Sequence, residues 1–326
     1  MNSVRQNNER LSLETVREAA LRIAPFVGPT PLVTMQPSGL RLKAESLHPV
    51  GAFKLRGAFN AILSLTDDER RRGIVAHSSG NHAQAVAYAA HRLLIKAAVV
   101  MPAGAPRSKL DATRRWGAEV HLVDFAGRDR ASRCAELAAT HGYAVIEPYN
   151  SLSIMAGTGT IGLELLAQCE NLQVVTVPVS GGGLIGGIAA ALVQSDPSIR
   201  VIGVEPELAA DAQASFRAGH IQRVEPELTQ RTMADGLRVP QVGELPFAQI
   251  RAFVHDIVTV SEDAIADAMR RIACEARLVA EPSGAVAAAG AIALGLDPHT
   301  TVAILSGGNV DLEAYAAILA AGRPKD

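Results

Sequence analysis

Short runs rich in β-branched residues, separated for the most part by helical patterns, recur along this chain and narrow its fold more than any other feature. They fall at 74–76, 97–101, 120–123, 144–146, 174–179, 201–204, 257–260 and 301–305. Antiparallel strands can be joined by a tight hairpin, whereas parallel strands need a crossover of about a dozen residues or more, usually a helix. The alternation therefore predicts an α/β protein, with mostly parallel twisted sheets covered by helices. A length of 326 residues is enough for two such domains. No internal repeat, low-complexity stretch or proline-rich linker divides the chain. Ahead of the alternation, a helix is expected from Ser12 to Ala24 with Ser12 as its cap, and a short strand from Leu40 to Ala44.

Three of the strands end alike. The first runs into Ser78-Ser79-Gly80-Asn81, the second into Ser180-Gly181-Gly182-Gly183 and the third into Ser306-Gly307-Gly308-Asn309, each followed by a helical pattern. Such a junction points free backbone N–H groups and a helix N-terminus at whatever lies above the carboxyl end of the sheet. One glycine turn is ordinary, because glycine is often needed for a tight connection alone. Three together, each with a serine, point to binding of an anionic ligand.

A lysine adds chemistry to this set. In Gly51-Ala52-Phe53-Lys54-Leu55-Arg56-Gly57-Ala58, the apolar residues from Leu55 onward (Leu55, Phe59, Ile62, Leu63) have the spacing of one buried helical face, which puts Lys54 at a helix start. The positive end of the helix dipole lies there and favours the neutral amine over the ammonium. A neutral amine can form a Schiff base, whereas an ordinary lysine, with a pKa of about 10.4, is almost fully protonated at neutral pH. Taken alone, Lys54 reads as a solvated residue at a loop–helix junction. A rival reading of the glycine turn is a dinucleotide site: residues 181–186 match GxGxxG after a strand, and Glu205 ends the next one, which suits an NAD-dependent oxidoreductase. That rival leaves Lys54 and two turns unused. Pyridoxal 5′-phosphate, with one phosphate, an aldehyde and an aromatic ring, uses them all.

Composition narrows the partners. A net charge of −2 gives no electrostatic case for nucleic acid or a membrane surface, so a small molecule is the expected partner. Cys134, Cys169 and Cys274 are far apart and suggest neither a zinc site nor a disulfide framework, which fits a cytoplasmic protein. The first ten residues are polar and lack the apolar core of a secretory signal. The uncharged run 283–296 is too short for a membrane span and is read as a buried helix.

Together, Ala52-Phe53-Lys54-Leu55-Arg56-Gly57-Ala58, Ser78-Ser79-Gly80-Asn81-His82, Ser180-Gly181-Gly182-Gly183-Leu184 and Ser306-Gly307-Gly308-Asn309 resemble the serine/threonine dehydratase and serine racemase family, fold-type II pyridoxal-phosphate enzymes. The resemblance implies two domains, a large one of residues 1–49 and 143–326 and a small mobile one of residues 50–142. It also implies that Lys54 carries the cofactor, Phe53 packs on its ring, Asn81 bonds the ring hydroxyl, Gly181, Gly182, Gly183 and Leu184 hold the phosphate, and Ser306 faces the pyridine nitrogen. Ser78, Ser79, Asn81 and His82 would capture the substrate carboxylate, with Ser79 as a catalytic acid opposite Lys54. Glu205-Pro206-Glu207-Leu208-Ala209-Ala210-Asp211 is similar to the family's cation site, which implies a divalent metal (Mg²⁺, Ca²⁺ or Mn²⁺) on Glu205, Asp211 and the Ala209 carbonyl. Without the resemblance, that stretch reads as a solvated acidic loop. A homodimer is implied as well.

Ala52, Ala83, Thr158 and Ser180 depart from the family's usual serine, glycine, glutamine and glycine, which leaves the substrate open. The expected reaction is α,β-elimination: Lys54 removes the α-proton, the β-hydroxyl leaves, and the aminoacrylate hydrolyses to a 2-oxo acid and ammonia. A neutral Ser306 beside the ring nitrogen favours prompt loss of the β-group over transamination. L-Threonine and L-serine are the expected substrates. The alternatives are racemisation through Ser79, a β-hydroxy amino acid such as threo-3-hydroxyaspartate, or storage and sensing of the cofactor without catalysis.

Overall fold

The computed structural model describes residues 10–78, 80–105, 107–124 and 130–322. Among them are two sheets. The larger has six strands in the order β1 (Leu32–Thr34), β2 (Arg41–Ala44), β10 (Thr301–Leu305), β7 (Val174–Pro178), β8 (Arg200–Pro206) and β9 (Asp256–Val260). The smaller has four, in the order β5 (Glu119–Val123), β4 (Ala97–Pro102), β3 (Ile74–His77) and β6 (Ala144–Val145). Every pairing is parallel except β1 with β2. The α/β architecture is therefore the one the alternation predicts. β1, which the sequence pattern did not suggest, is a three-residue edge strand that runs back along β2.

Burial explains why the parallel strands read as continuous apolar runs: β4, β7 and β10 are buried at every residue, because helices cover both faces. The first helix, Leu13–Ile23, starts where Ser12 caps it by accepting from Thr15 N, and the run from residue 283 lies in the buried helix Pro282–Ala293. Helices Leu152–Gln168 and Gly183–Ser195 cross at glycines. A Cβ at Gly187 would lie 2.2 Å from Met155 O, and one at Gly162 would lie 2.9 Å from Ala191 Cβ. No described helix is long and apolar enough to cross a membrane.

Helix Lys54–Leu63 lies between the two halves. Its Leu55, Phe59 and Ile62 join a core with Ile74, Val86 and Met101 from the small-sheet side. Its opposite flank presses on helix Leu152–Gln168 so closely that a Cβ at Gly157 would sit 2.5 Å from Arg56 O. The position of Lys54 is thus fixed from both sides.

Candidate active site

Strands β2, β10 and β7 are neighbours, so the segments that leave their carboxyl ends emerge side by side. The lysine loop is tied to the turn after β10 by backbone bonds, Phe53 N to Ser306 O at 3.0 Å and Gly308 N to Gly51 O at 2.9 Å. Lys54 is the first residue of its helix, as the apolar spacing predicts. Its partly buried Nζ donates to Pro148 O at 2.6 Å and lies 5.2 Å from the centre of the Phe53 ring. Burial pulls its pKa down to about 8. The amine is thus primed as the sequence suggests, but desolvation is the cause that stands out, not the helix field.

Two residues further on, Arg56 anchors the same helix. Fully buried, it reaches both oxygens of Glu45 at 2.7 and 2.8 Å and both oxygens of Glu164 at 2.5 and 2.9 Å. Lys43, also fully buried, donates to Glu164 Oε2 at 2.5 Å and to Thr30 O at 2.8 Å. Burial works against the Glu45 charge, yet the Arg56 guanidinium and the His48 ring hold this carboxyl well below the usual range. The network stitches β2, the lysine helix and helix Leu152–Gln168 together. Breaking one member would strand a buried charge.

The turn after β7 is shaped as a cup. Gly182 takes a φ of +85° and is the N-cap of helix Gly183–Ser195 without a side chain over the helix end, so its first N–H groups face outward. A Cβ at Gly181 would meet the Tyr149 ring at 2.4 Å. The Ser180 hydroxyl is buried there with no hydrogen-bond partner. Thr158, the departure noted above, has a use: its Oγ1 lies 2.8 Å from Gly183 O and 3.0 Å from Met155 O, fastening the cup to the neighbouring helix.

The turn after β3 arrives from the other sheet. Ser78 Oγ accepts from Gly80 N at 3.2 Å, and Asn81 opens helix Asn81–Leu93. Asn81 Nδ2 donates to Glu281 Oε1 at 2.6 Å, and its Oδ1 accepts from Asn309 Nδ2 at 2.8 Å, which joins this turn to the one after β10. Ser79 lies outside the described residues. The His82 ring is buried and its Nε2 lies 3.0 Å from Ile146 O; burial, with the Lys54 charge nearby, drives its pKa down to about 3. A neutral ring whose Nε2–H is given to Ile146 has only an acceptor left at Nδ1. What His82 can offer a carboxylate is its backbone N–H in the first turn of the helix.

The profile of the family described as "Pyridoxal-phosphate dependent enzyme" matches residues 23–307. The chain belongs to this family. This pyridoxal-phosphate enzyme is 40% identical over 315 residues to the L-threo-3-hydroxyaspartate ammonia-lyase of Saccharomyces cerevisiae, across 93% of this chain and 95% of that protein. It is 43% identical over 281 residues to the catabolic L-threonine dehydratase TdcB of Escherichia coli, across 85% and 84% of the two chains. Among solved structures, maize serine racemase superposes with a TM-score of 0.88 at 37% identity, covering 94% of this chain and 96% of its own.

The site of this pyridoxal-phosphate enzyme fits the cofactor on features of its own: a desolvated lysine amine, a glycine cup at a helix N-terminus and an orphaned serine hydroxyl beside it. Ser306 is buried at the end of β10, next to the lysine loop. Elsewhere, Glu205 at the end of β8 and Asp211 at the start of helix Asp211–Ala218 are both fully buried. Glu205 accepts from Ala212 N at 3.1 Å and Gln213 N at 2.8 Å, while both Asp211 carboxylate oxygens lack a partner. Burial raises the pKa of both, and at Glu205 the Asp211 charge adds to it. The pair is therefore not the solvated loop that the sequence alone suggests. Among the described residues no group of three or more His, Cys, Asp or Glu side chains gathers for a metal.

Sequence reasoning gave no role to Glu281 or Tyr149, and took Asn309 only as part of the turn after β10. A carboxylate at the very edge of the long uncharged run was the available signal for Glu281.

Proposed function

We propose that the protein is a dehydratase of small β-hydroxy amino acids that releases a 2-oxo acid and ammonia, with L-threonine and L-serine as first substrates. The observation that carries this is the Lys54 amine, desolvated to a pKa of about 8 and fixed where the lysine loop is tied to the turn after β10. The similarity to an ammonia-lyase and a threonine dehydratase along most of the chain supports elimination. threo-3-Hydroxyaspartate is the next candidate. Racemisation is the second reading, favoured by the likeness to maize serine racemase, and it would require Ser79 to return a proton opposite Lys54.

Pyridoxal phosphate, when bound, supplies the electron sink that lets the α-proton leave. In this reading the N–H groups of Gly181, Gly182, Gly183 and Leu184 receive the phosphate, Phe53 packs on the ring, Asn81 bonds the ring oxygen and Ser306 meets the ring nitrogen. Ser78, Ser79 and the N–H of His82 orient the substrate carboxylate. The Lys54 amine, with a pKa near the working pH, takes the α-proton as a general base. The β-hydroxyl then departs as water, taking up the proton that Lys54 received, and hydrolysis of the released enamine gives the 2-oxo acid and ammonia.

As part of the same reading, Glu205, Asp211 and the Ala209 carbonyl hold a divalent cation, because oxygen donors suit Mg²⁺, Ca²⁺ or Mn²⁺ and the Asp211 oxygens are otherwise orphaned. The cation would offset two buried negative charges. Residues 50–142 form the small mobile domain that closes on the site, and the enzyme works as a cytoplasmic homodimer.

The test is 2-oxo acid release from L-threonine, L-serine, D-serine and threo-3-hydroxyaspartate, with Lys54→Ala as control and a divalent cation present. Release from L-threonine or L-serine that vanishes in the variant is the expected result. No release from any of them by protein that holds the cofactor would overturn the dehydratase reading, and chiral analysis would then decide on racemisation.

A further inference from the structure

Glu281 is buried, carries an acidic group, and has no part in the chemistry described above. It occupies the N-cap position of helix Pro282–Ala293, yet its side chain makes no capping bond to that helix. Its Oε1 is turned instead to Asn81 Nδ2, at 2.6 Å. Two glycines make room for this arrangement. A Cβ at Gly307 would lie 2.1 Å from Glu281 Oε1, and one at Gly51, where φ is +69°, would lie 2.4 Å from Asn309 Oδ1.

The direction of every bond follows from one group. Val50 O is a backbone carbonyl and can only accept, so the Asn309 atom 2.7 Å away must be the amide nitrogen. That same nitrogen lies 2.8 Å from Asn81, which must meet it with its oxygen. Asn81 Nδ2 is then left facing Glu281, and one of its two N–H groups is used there. Among the described residues the other has no partner. An amide not held in this way could rotate by half a turn and present its oxygen to an acceptor, which repels it.

We propose that Glu281 and Asn309 are positioning residues that clamp the Asn81 amide in the orientation that leaves one N–H for the ring oxygen of the cofactor. The proposal rests on the reading of Asn81 as the partner of that oxygen. Gly307, from one of the sequence motifs, is then required for the space the clamp occupies, and Gly51 for that space as well as for its left-handed backbone. The device links three turns: Val50 and Asn309 lie on the lysine side, Asn81 comes from the small sheet, and Glu281 closes the chain.

The experiment uses the holoenzyme and reads the visible absorption of its bound cofactor, cofactor loss on dilution and the thermal midpoint. Glu281→Gln keeps an acceptor oxygen and should preserve both band and retention. Glu281→Leu removes it and should change the band and speed cofactor loss about tenfold, the scale of one strong hydrogen bond. Asn309→Ala removes the other jaw, leaves the buried carboxyl in place, and should change the band in the same way even if Glu281→Leu fails to fold. Unchanged bands in the folded variants overturn the proposal, as does a Glu281→Gln protein as impaired as the leucine variant. A fall in thermal midpoint with band and retention unaltered shows a purely structural role and overturns it too. A wild type without a Lys54-dependent band would end the reading of the site, and the clamp with it.

Discussion

Replacing Glu281 by glutamine should make the protein more stable, and increasingly so as the pH rises. Burial, with Asp235 nearby adding to it, lifts the Glu281 carboxyl from an ordinary 4.5 to about 8. Between those values the unfolded chain has lost this proton while the folded protein keeps it. Stability therefore falls as pH rises, by up to about 1.4 kcal/mol per unit, and the contribution is fully lost above pH 8. The whole span corresponds to an upper bound of about 5 kcal/mol, and relaxation around the ionised group brings the expected effect to the order of 2–5 kcal/mol. Glutamine has no proton to lose and still accepts from Asn81. The assay is urea unfolding of cofactor-saturated wild type and variant at about pH 5.5, 7 and 8.5, a range that crosses the raised value of about 8. The gap between them should widen from the first pH to the last. Parallel curves would refute the argument, since they would show that Glu281 ionises in the folded state as it does in water.

Other perturbations separate the roles of neighbouring parts. Arg56→Met leaves Glu45 buried without its main partner and should cost about 3–5 kcal/mol in urea unfolding, whereas a loss below about 1 kcal/mol would mean that the network has rearranged. Thr158→Val removes the hydroxyl beside Gly183 and should cost about 1 kcal/mol and weaken cofactor retention, with Thr158→Ser restoring both; an unaffected valine variant would dissociate this contact from the cup. If Glu205 and Asp211 hold a cation, millimolar Ca²⁺ or Mg²⁺ should raise the thermal midpoint of the wild type and leave Asp211→Asn unmoved. Equal shifts in both proteins would place the ion elsewhere.

Much of the architecture was legible because parallel strands covered on both faces read as unbroken β-branched runs, which is how β4, β7 and β10 announced themselves. β1 escaped since Leu32-Val33-Thr34 is too short for a period to show and owes its pairing to β2. The start of the lysine helix was also readable, from Leu55, Phe59 and Ile62. The reason Lys54 is primed was not, because burial depends on Pro148 and the surrounding halves of the molecule and not on its own helix. Asp211 looked like a solvated acid for the same reason. Asn309 was visible as part of its turn but its partner was not, and Glu281 and Tyr149 act through distant segments, since no local pattern reports a contact between residues 81 and 281 or 81 and 309.

The sheet order also sets when the enzyme can begin to exist during its synthesis. Strands β3 to β6 span residues 74–145 and pair only with one another, so the smaller sheet can assemble while the chain is still being made. The larger sheet cannot be completed early, because β10, the last of the described strands, must slide in between β2 and β7. Until then the lysine loop lacks its backbone partners Ser306 and Gly308, and the clamp lacks Asn309. Contacts of such sequence separation form slowly. A chain truncated before β10 will therefore lack the turn that ties down the lysine loop and will not retain the cofactor.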